Sequence, residues 1–256
     1  MTKDTKLIKS KSRVRDHWEV YTPEIIVEQM LNLVKNETER IESKFLEPAC
    51  GTGNFLIKIL DKKLKEVERK YKKIQSEFEF YSLLAIWSIY GIDLLADNIQ
   101  EARSRLKKLI LNLHTKLFKK KNKNREFEQV IRLILKNNII QGDALTLKNA
   151  KEQPLLFSDW WSVGGYKIKR STYIFEELIP KWEICKNKIF IPEPINQYPP
   201  VYFLSLYKQA QDEIQLQSWC TGSDSKSQQW WSIHTTKISK YHAWSPTKGT
   251  MVGLFN

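Results

Sequence analysis

Apolar positions along the first three-fifths of the chain switch between two spacings. The switching predicts short strands interleaved with helices. From Pro23 onward, Ile26, Val27, Met30, Leu31 and Val34 recur at the three- and four-residue steps of one helix face. Thr22 stands at the N-cap position of this helix, with Pro23 as its first residue and Glu24 in its first turn. Ser43–Pro48 is short and strand-like and runs into a glycine-containing turn, after which a helical pattern extends from Phe55 to about Lys72. A second helix is predicted over Phe78–Ser88 and a strand over Ile89–Leu94. A long helix follows over Asp97–Phe118, with Ile99, Ala102, Leu106, Leu109, Ile110 and Leu113 on its apolar face. Glu126–Leu135 reads as another helix and Asn138–Asp143 as a third strand with an acidic tip. Strands alternating with helices in this way predict an α/β fold, a doubly wound parallel sheet with helices on both faces.

Beyond Lys151 the periodicity degrades. Pro154–Asp159 is consistent with a fourth strand, but the remainder has scattered prolines and seven of the nine tryptophans. The last stretch, from Gln215, is polar and weakly periodic and predicts no fold. The expected organisation is a basic flexible arm over residues 1–15, an α/β domain over 16–205 and a small irregular C-terminal region over 206–256.

Composition narrows the class of partner. Forty-one per cent of residues are hydrophobic, which is enough for a sizeable core and excludes wholesale disorder. No apolar run suffices to span a bilayer, and the N-terminal segment is too polar for a secretory signal. Three scattered cysteines suggest neither a disulfide framework nor a zinc site, so a reducing cytoplasm is expected and no metal is. The net charge of +13 creates a field that attracts polyanions, nucleic acid first and an acidic membrane surface second. A general preference for lysine would give the same excess. Lys116–Arg125 carries six basic residues and no acid, which suits either a solvated helix end or a phosphate-contacting surface.

The chemistry-bearing positions cluster at predicted strand ends. Leu46-Glu47-Pro48-Ala49-Cys50-Gly51-Thr52-Gly53-Asn54-Phe55 is a strand ending at an acid, a turn with two glycines, then a helix. Such a turn lets a ligand approach the backbone closely. No Lys-Ser/Thr follows the second glycine, so this is not a Walker-type phosphate loop. Asp93 ends the next strand, where nucleotide-binding α/β folds place an acceptor for ribose hydroxyls. Asp143 ends the third, where a carboxylate can accept from an adenine amino group. Each acid alone is ordinarily a turn residue or helix cap. Their ordered recurrence at successive strand tips points to a ligand along one edge of the sheet.

These residues resemble the S-adenosylmethionine-dependent N6-adenine DNA methyltransferases of restriction–modification systems. Glu47-Pro48-Ala49-Cys50-Gly51-Thr52-Gly53-Asn54-Phe55 is similar to that family's first cofactor motif almost residue for residue. Val20-Tyr21-Thr22-Pro23 is similar to its N-terminal motif, usually Gly-x-Phe/Tyr-Thr-Pro, with Trp18 where the glycine often stands. The resemblance covers Arg15 to Leu147 and implies a Rossmann-like methyltransferase sheet with S-adenosyl-L-methionine as cofactor. It implies that Tyr21, Thr22 and Pro23 flank the cofactor, that Glu47 and the Gly51–Gly53 turn hold its methionine part, and that Pro48, Ala49 and Asn54 also contact the cofactor. It further implies that Asp93 holds the ribose hydroxyls and Asp143 the adenine amino group, with Leu94 and Ala144 as further cofactor-binding residues. The motif order resembles the gamma arrangement, Cys50 being a small turn residue.

The family's catalytic tetrapeptide, Asn/Asp/Ser-Pro-Pro-Tyr/Phe/Trp, is absent. Its polar group and first proline carbonyl accept from the target amine, and its ring stacks on the extruded base. Asp159 and Trp160, after an apolar run downstream of Asp143, are the expected substitutes by position. A strand end followed by a buried tryptophan would read identically. Asn196-Gln197-Tyr198-Pro199-Pro200-Val201-Tyr202 has the right residue types in scrambled order and lies further downstream. The resemblance implies double-stranded DNA as partner; the short region left for target recognition implies either that a partner, such as a specificity or nuclease subunit, supplies sequence reading or that the chain is a fragment or degenerate copy. The missing tetrapeptide keeps open a catalytically inactive cofactor-binding subunit of a restriction or phage-defence complex.

Overall fold

The computed structural model describes residues 10–17, 22–118, 124–179, 192–209 and 252–253. In chain order the elements are α1 (Lys11–His17), α2 (Glu24–Leu33), α3 (Lys35–Thr38), β1 (Phe45–Glu47), α4 (Asn54–Tyr71), α5 (Gln75–Trp87), β2 (Ile89–Asp93), α6 (Ala96–Phe118), α7 (Arg125–Asn138) and β3 (Ile139–Gln141). Then come β4 (Leu156–Ser162), β5 (Lys167–Ile174), α8 (Phe175–Leu178), β6 (Asn196–Tyr202) and β7 (Val252–Gly253).

β3, β2 and β1 form a parallel sheet, with Phe45 opposite Ile89 and Gly91 opposite Ile139. β7 lies parallel on the outer side of β1. Because strand side chains alternate, each of β1, β2 and β3 feeds two cores. Phe45, Ile89 and Ile139 face the helices α4 to α7 in the larger core. Leu46, Tyr90, Ile92 and Ile140 face the opposite way, where Leu155, Phe157 and the α8 residue Phe175 cover them. The α/β reading with a parallel sheet holds.

The helices bury the stripes their sequences present. α4 buries Leu56, Ile59, Leu60, Leu64 and Val67, spaced three and four apart. α7 is capped by the Asn124 side chain, which accepts from the Glu126 and Phe127 amides. α2 begins one residue later than expected. Pro23 is its cap, and its carbonyl takes the Ile26 and Val27 amides while Thr22 makes no capping bond. Burial pushes the ammonium of the fully enclosed Lys63 down to about 7. That ammonium ties α4 to the amino end of the sheet through the Ile41 carbonyl (2.9 Å) and Ser88 Oγ (2.8 Å).

Three expectations change. Pro154–Asp159 does lead into a strand, β4, but β4 pairs antiparallel with β5 in a separate β4-β5-β6 sheet. Where a flexible arm is expected, Lys11–His17 is helical and Arg13 pairs with Asp97. The main core also passes the expected boundary at 205: Leu206 is as fully buried as Phe203 and belongs to the same cluster. Among the described residues no helix is long and apolar enough to cross a membrane.

Candidate functional site

The three carboxylates first read from sequence lie at neighbouring strand ends joined by backbone bonds. After Glu47 the chain turns across the tip of β2, and the Cys50 amide donates to the Ile92 carbonyl at 2.9 Å. The next amide, Gly51, donates to Asp93 Oδ2 at 2.9 Å. On the other side of Asp93, its carbonyl accepts the Gly142 amide at 3.0 Å. Glu47, the turn, Asp93 and Asp143 therefore occupy the carboxy edge of the parallel sheet, where α/β folds bind ligands.

Glu47 is the unusual member. Its side chain is 2% exposed, and Oε2 has no hydrogen-bond partner. Burial pushes its carboxyl up to about 7, and the Ala49 backbone bond offsets only part of that. A buried oxygen left without a donor is costly, and a ligand carrying positive charge or N–H groups would relieve it. Asp93 is heavily used already: Oδ1 accepts from the Leu95 amide at 2.9 Å and from Asn98 Nδ2 at 3.2 Å, while Oδ2 holds Gly51. Asp143 caps its own turn through the Leu145 amide at 2.8 Å, which holds its carboxyl below the usual range.

The turn is shaped by contacts sequence reading did not find. Gly53 has φ +86°, and a Cβ there would meet the Ala102 Cβ of α6 at 3.1 Å. This glycine is buried, and its missing side chain lets α6 pack close, a constraint that its sequence neighbours do not announce. Gly91 matters as much: a Cβ there would come within 2.8 Å of Leu56 Cδ1 and 3.1 Å of Cys50 Sγ. Arg105 Nη1 donates to the Thr52 carbonyl (2.7 Å), Thr52 Oγ1 (3.0 Å) and Asn54 Oδ1 (2.9 Å), clamping the turn from α6. Asn98 braces Asp93 from the same helix. No local pattern marks Arg105, because it acts across tens of residues to reach Thr52 and Asn54. Burial raises the Cys50 thiol, in keeping with a small packing residue.

Of the remaining expected contacts, Thr22 and Pro23 are half-buried at the start of α2, Pro48 is half-buried and Ala49 exposed. Tyr21 lies outside the described residues. Leu94 is 56% exposed beside Asp93, and Ala144 packs on the smaller core.

The expected catalytic pair is elsewhere. Trp160 is 2% exposed in the main core, and its indole N–H donates to Asn138 Oδ1 at 2.8 Å. Asn138 in turn donates to the Trp87 and Ile89 carbonyls. A ring enclosed in this way offers no face to a base. Asp159 is held by Lys44 at 2.6 Å. Lys44 immediately precedes β1 and Asn138 immediately precedes β3, so both residues sit at the amino edge, opposite Glu47, the glycine turn, Asp93 and Asp143. Asp159 and Trp160 thus tie β4 to the amino edge of the parallel sheet in this structure. The scrambled alternative is also structural in part: Asn196–Tyr202 is the edge strand β6, with the Tyr198 ring 3.9 Å from the Arg170 guanidinium. Among the described residues no group of His, Cys, Asp and Glu is arranged to hold a metal ion.

Residues 24–174 match the family described as MmeI, DNA-methyltransferase domain, a match spanning more than half of the chain. No curated protein matches it.

Proposed function

Because the chain belongs to the MmeI DNA-methyltransferase domain family, a restriction–modification family, we propose that the carboxy edge of its sheet binds S-adenosylmethionine for methylation of adenine N6 in double-stranded DNA. The single observation carrying this reading is the buried Glu47 oxygen without a donor, beside a turn whose backbone Asp93 holds. The residues present fit such a cofactor. Its amino acid part would meet Glu47 and the Pro48–Gly51 backbone. A carboxylate has about four acceptor sites and Asp93 uses three, which leaves one for a ribose hydroxyl. Leu94 and Ala144 would give the adenine an apolar surface and Asp143 an acceptor; Thr22, Pro23 and Tyr21 would flank it. The cofactor supplies, when bound, a methyl group made electrophilic by its sulfonium sulfur. The charge of +13 suits a DNA partner.

A second reading rests on Trp160. With that ring enclosed in the core and Asp159 at the amino edge, neither of the two expected catalytic residues stands beside the glycine turn. On this reading the chain is a cofactor-binding subunit of a restriction complex, and a partner subunit completes the target-base pocket. Incubation with tritiated cofactor and mixed-sequence DNA, followed by mass detection of nucleosides, separates the two. N6-methyladenine from the isolated chain supports the enzyme. Cofactor binding without transfer supports the subunit.

A further inference from the structure

The N-terminal helix reaches the candidate cofactor turn through a short line of polar groups. Arg13 of α1 donates through Nη1 to Asp97 Oδ2 (2.5 Å) and through Nη2 to Asp97 Oδ1 (3.1 Å) and Asn98 Oδ1 (3.2 Å). Asn98 is 1% exposed, and its other end, Nδ2, donates to Asp93 Oδ1 at 3.2 Å. Asp93 Oδ2 takes the Gly51 amide. The polarity of the line is determined at both ends. A guanidinium can only donate, and an ionised carboxylate can only accept. Asn98 must therefore turn its oxygen to Arg13 and its amino group to Asp93. Reversing the amide would set Asn98 oxygen against Asp93 oxygen and nitrogen against guanidinium.

We propose that Arg13 is a positioning residue for the glycine turn: acting through Asn98 and Asp93 it holds the Gly51 amide in place, so that docking of α1 and occupation of the turn favour one another. The ligand side of this inference rests on the proposed cofactor site, but the coupling from Arg13 to the turn does not need it. Coupling of this kind is reciprocal, so anything that releases α1 loosens the turn and anything that fills the turn retains α1.

Amide hydrogen exchange on the full chain tests the coupling without ligand, with Arg13→Ala, Asn98→Ala and the double variant compared with the parent. Arg13 is partly exposed, so its truncation leaves the core intact. Arg13→Ala is expected to speed exchange across residues 50–54 about fivefold, the low end of inter-site couplings. The double variant is expected to exchange no faster than Asn98→Ala alone, because the two residues act in one line. Should Asn98→Ala not fold, Arg13→Ala decides the matter alone. In titrations with S-adenosylmethionine, Arg13→Ala is expected to bind with a Kd raised by a similar factor. Unchanged exchange in Arg13→Ala, or fully additive effects in the double variant, would overturn the inference. Failure of the parent chain to bind the cofactor refutes the functional reading instead, and the exchange result still settles the coupling.

Discussion

Glu47→Gln should raise stability and lower cofactor affinity at once. Burial lifts the Glu47 carboxyl from an ordinary 4.5 to about 7 in the folded chain. Below about pH 4.5 both folded and unfolded chains are protonated at this position. Between 4.5 and 7 the folded chain keeps a proton the unfolded chain has released, so unfolding free energy falls as pH rises. Above about 7 the deficit is complete. At about 1.4 kcal/mol per pH unit, a rise from 4.5 to about 7 corresponds to at most ~3 kcal/mol. Glutamine removes the ionisation, so Glu47→Gln should be more stable than the parent at pH 8 by about 1–3 kcal/mol and should lack the parent's slope between pH 5 and 7. Urea denaturation followed by circular dichroism across that range measures both. On the proposed reading the same substitution removes the anion that would face the cofactor's ammonium, so calorimetry should show affinity falling tenfold or more. In the parent, cofactor affinity should rise with pH up to about 7, because the bound form prefers the ionised carboxylate. A flat stability profile in the parent, or unaltered affinity in Glu47→Gln, would refute this reasoning.

Asp93→Ala strips the Gly51 and Leu95 amides and Asn98 of their acceptor; it should cost at least ~2 kcal/mol in denaturant unfolding and weaken cofactor binding in calorimetry. Gly91→Val places a branched side chain against Leu56 and Cys50 and should destabilise by about 1–3 kcal/mol, read as a lowered Tm. Trp160→Phe leaves Asn138 Oδ1 without its indole donor; it should cost about 1–3 kcal/mol while leaving cofactor affinity unchanged. A stable Trp160→Phe that lost only methyl transfer would restore the ring to the target-base pocket.

The parallel sheet and its acidic tips were legible because their signals are local. Leu46-Glu47 with two glycines close behind, Asp93 and Asp143 each sit in a short strand-to-turn pattern that tertiary context did not override. The clamps on the turn were not legible. Arg105 reaches Thr52 and Asn54 only because α6 packs beside α4, and nothing around either end of that contact announces it. Gly53 was legible as a turn glycine but its packing against α6 was not, since Ala102 becomes its neighbour only after folding. β4 misled because an apolar run followed by Asp159 and Trp160 fits either edge of a sheet. The loop from Asp143 to Leu155 decides the direction. Leu155 packs at Gly142 on the carboxy edge, and the strand then runs back to Lys44 and Asn138 at the amino edge.

Photochemical cross-linking of S-adenosylmethionine carrying a tritiated methyl group, with the labelled peptides identified, addresses the cofactor site most directly. Label is expected in peptides containing Glu47–Asn54 and Asp93–Leu94, with labelling reduced in Glu47→Gln. Label confined to the β4–β6 sheet, or absent from the folded chain at saturating cofactor, would contradict a cofactor site at the carboxy edge.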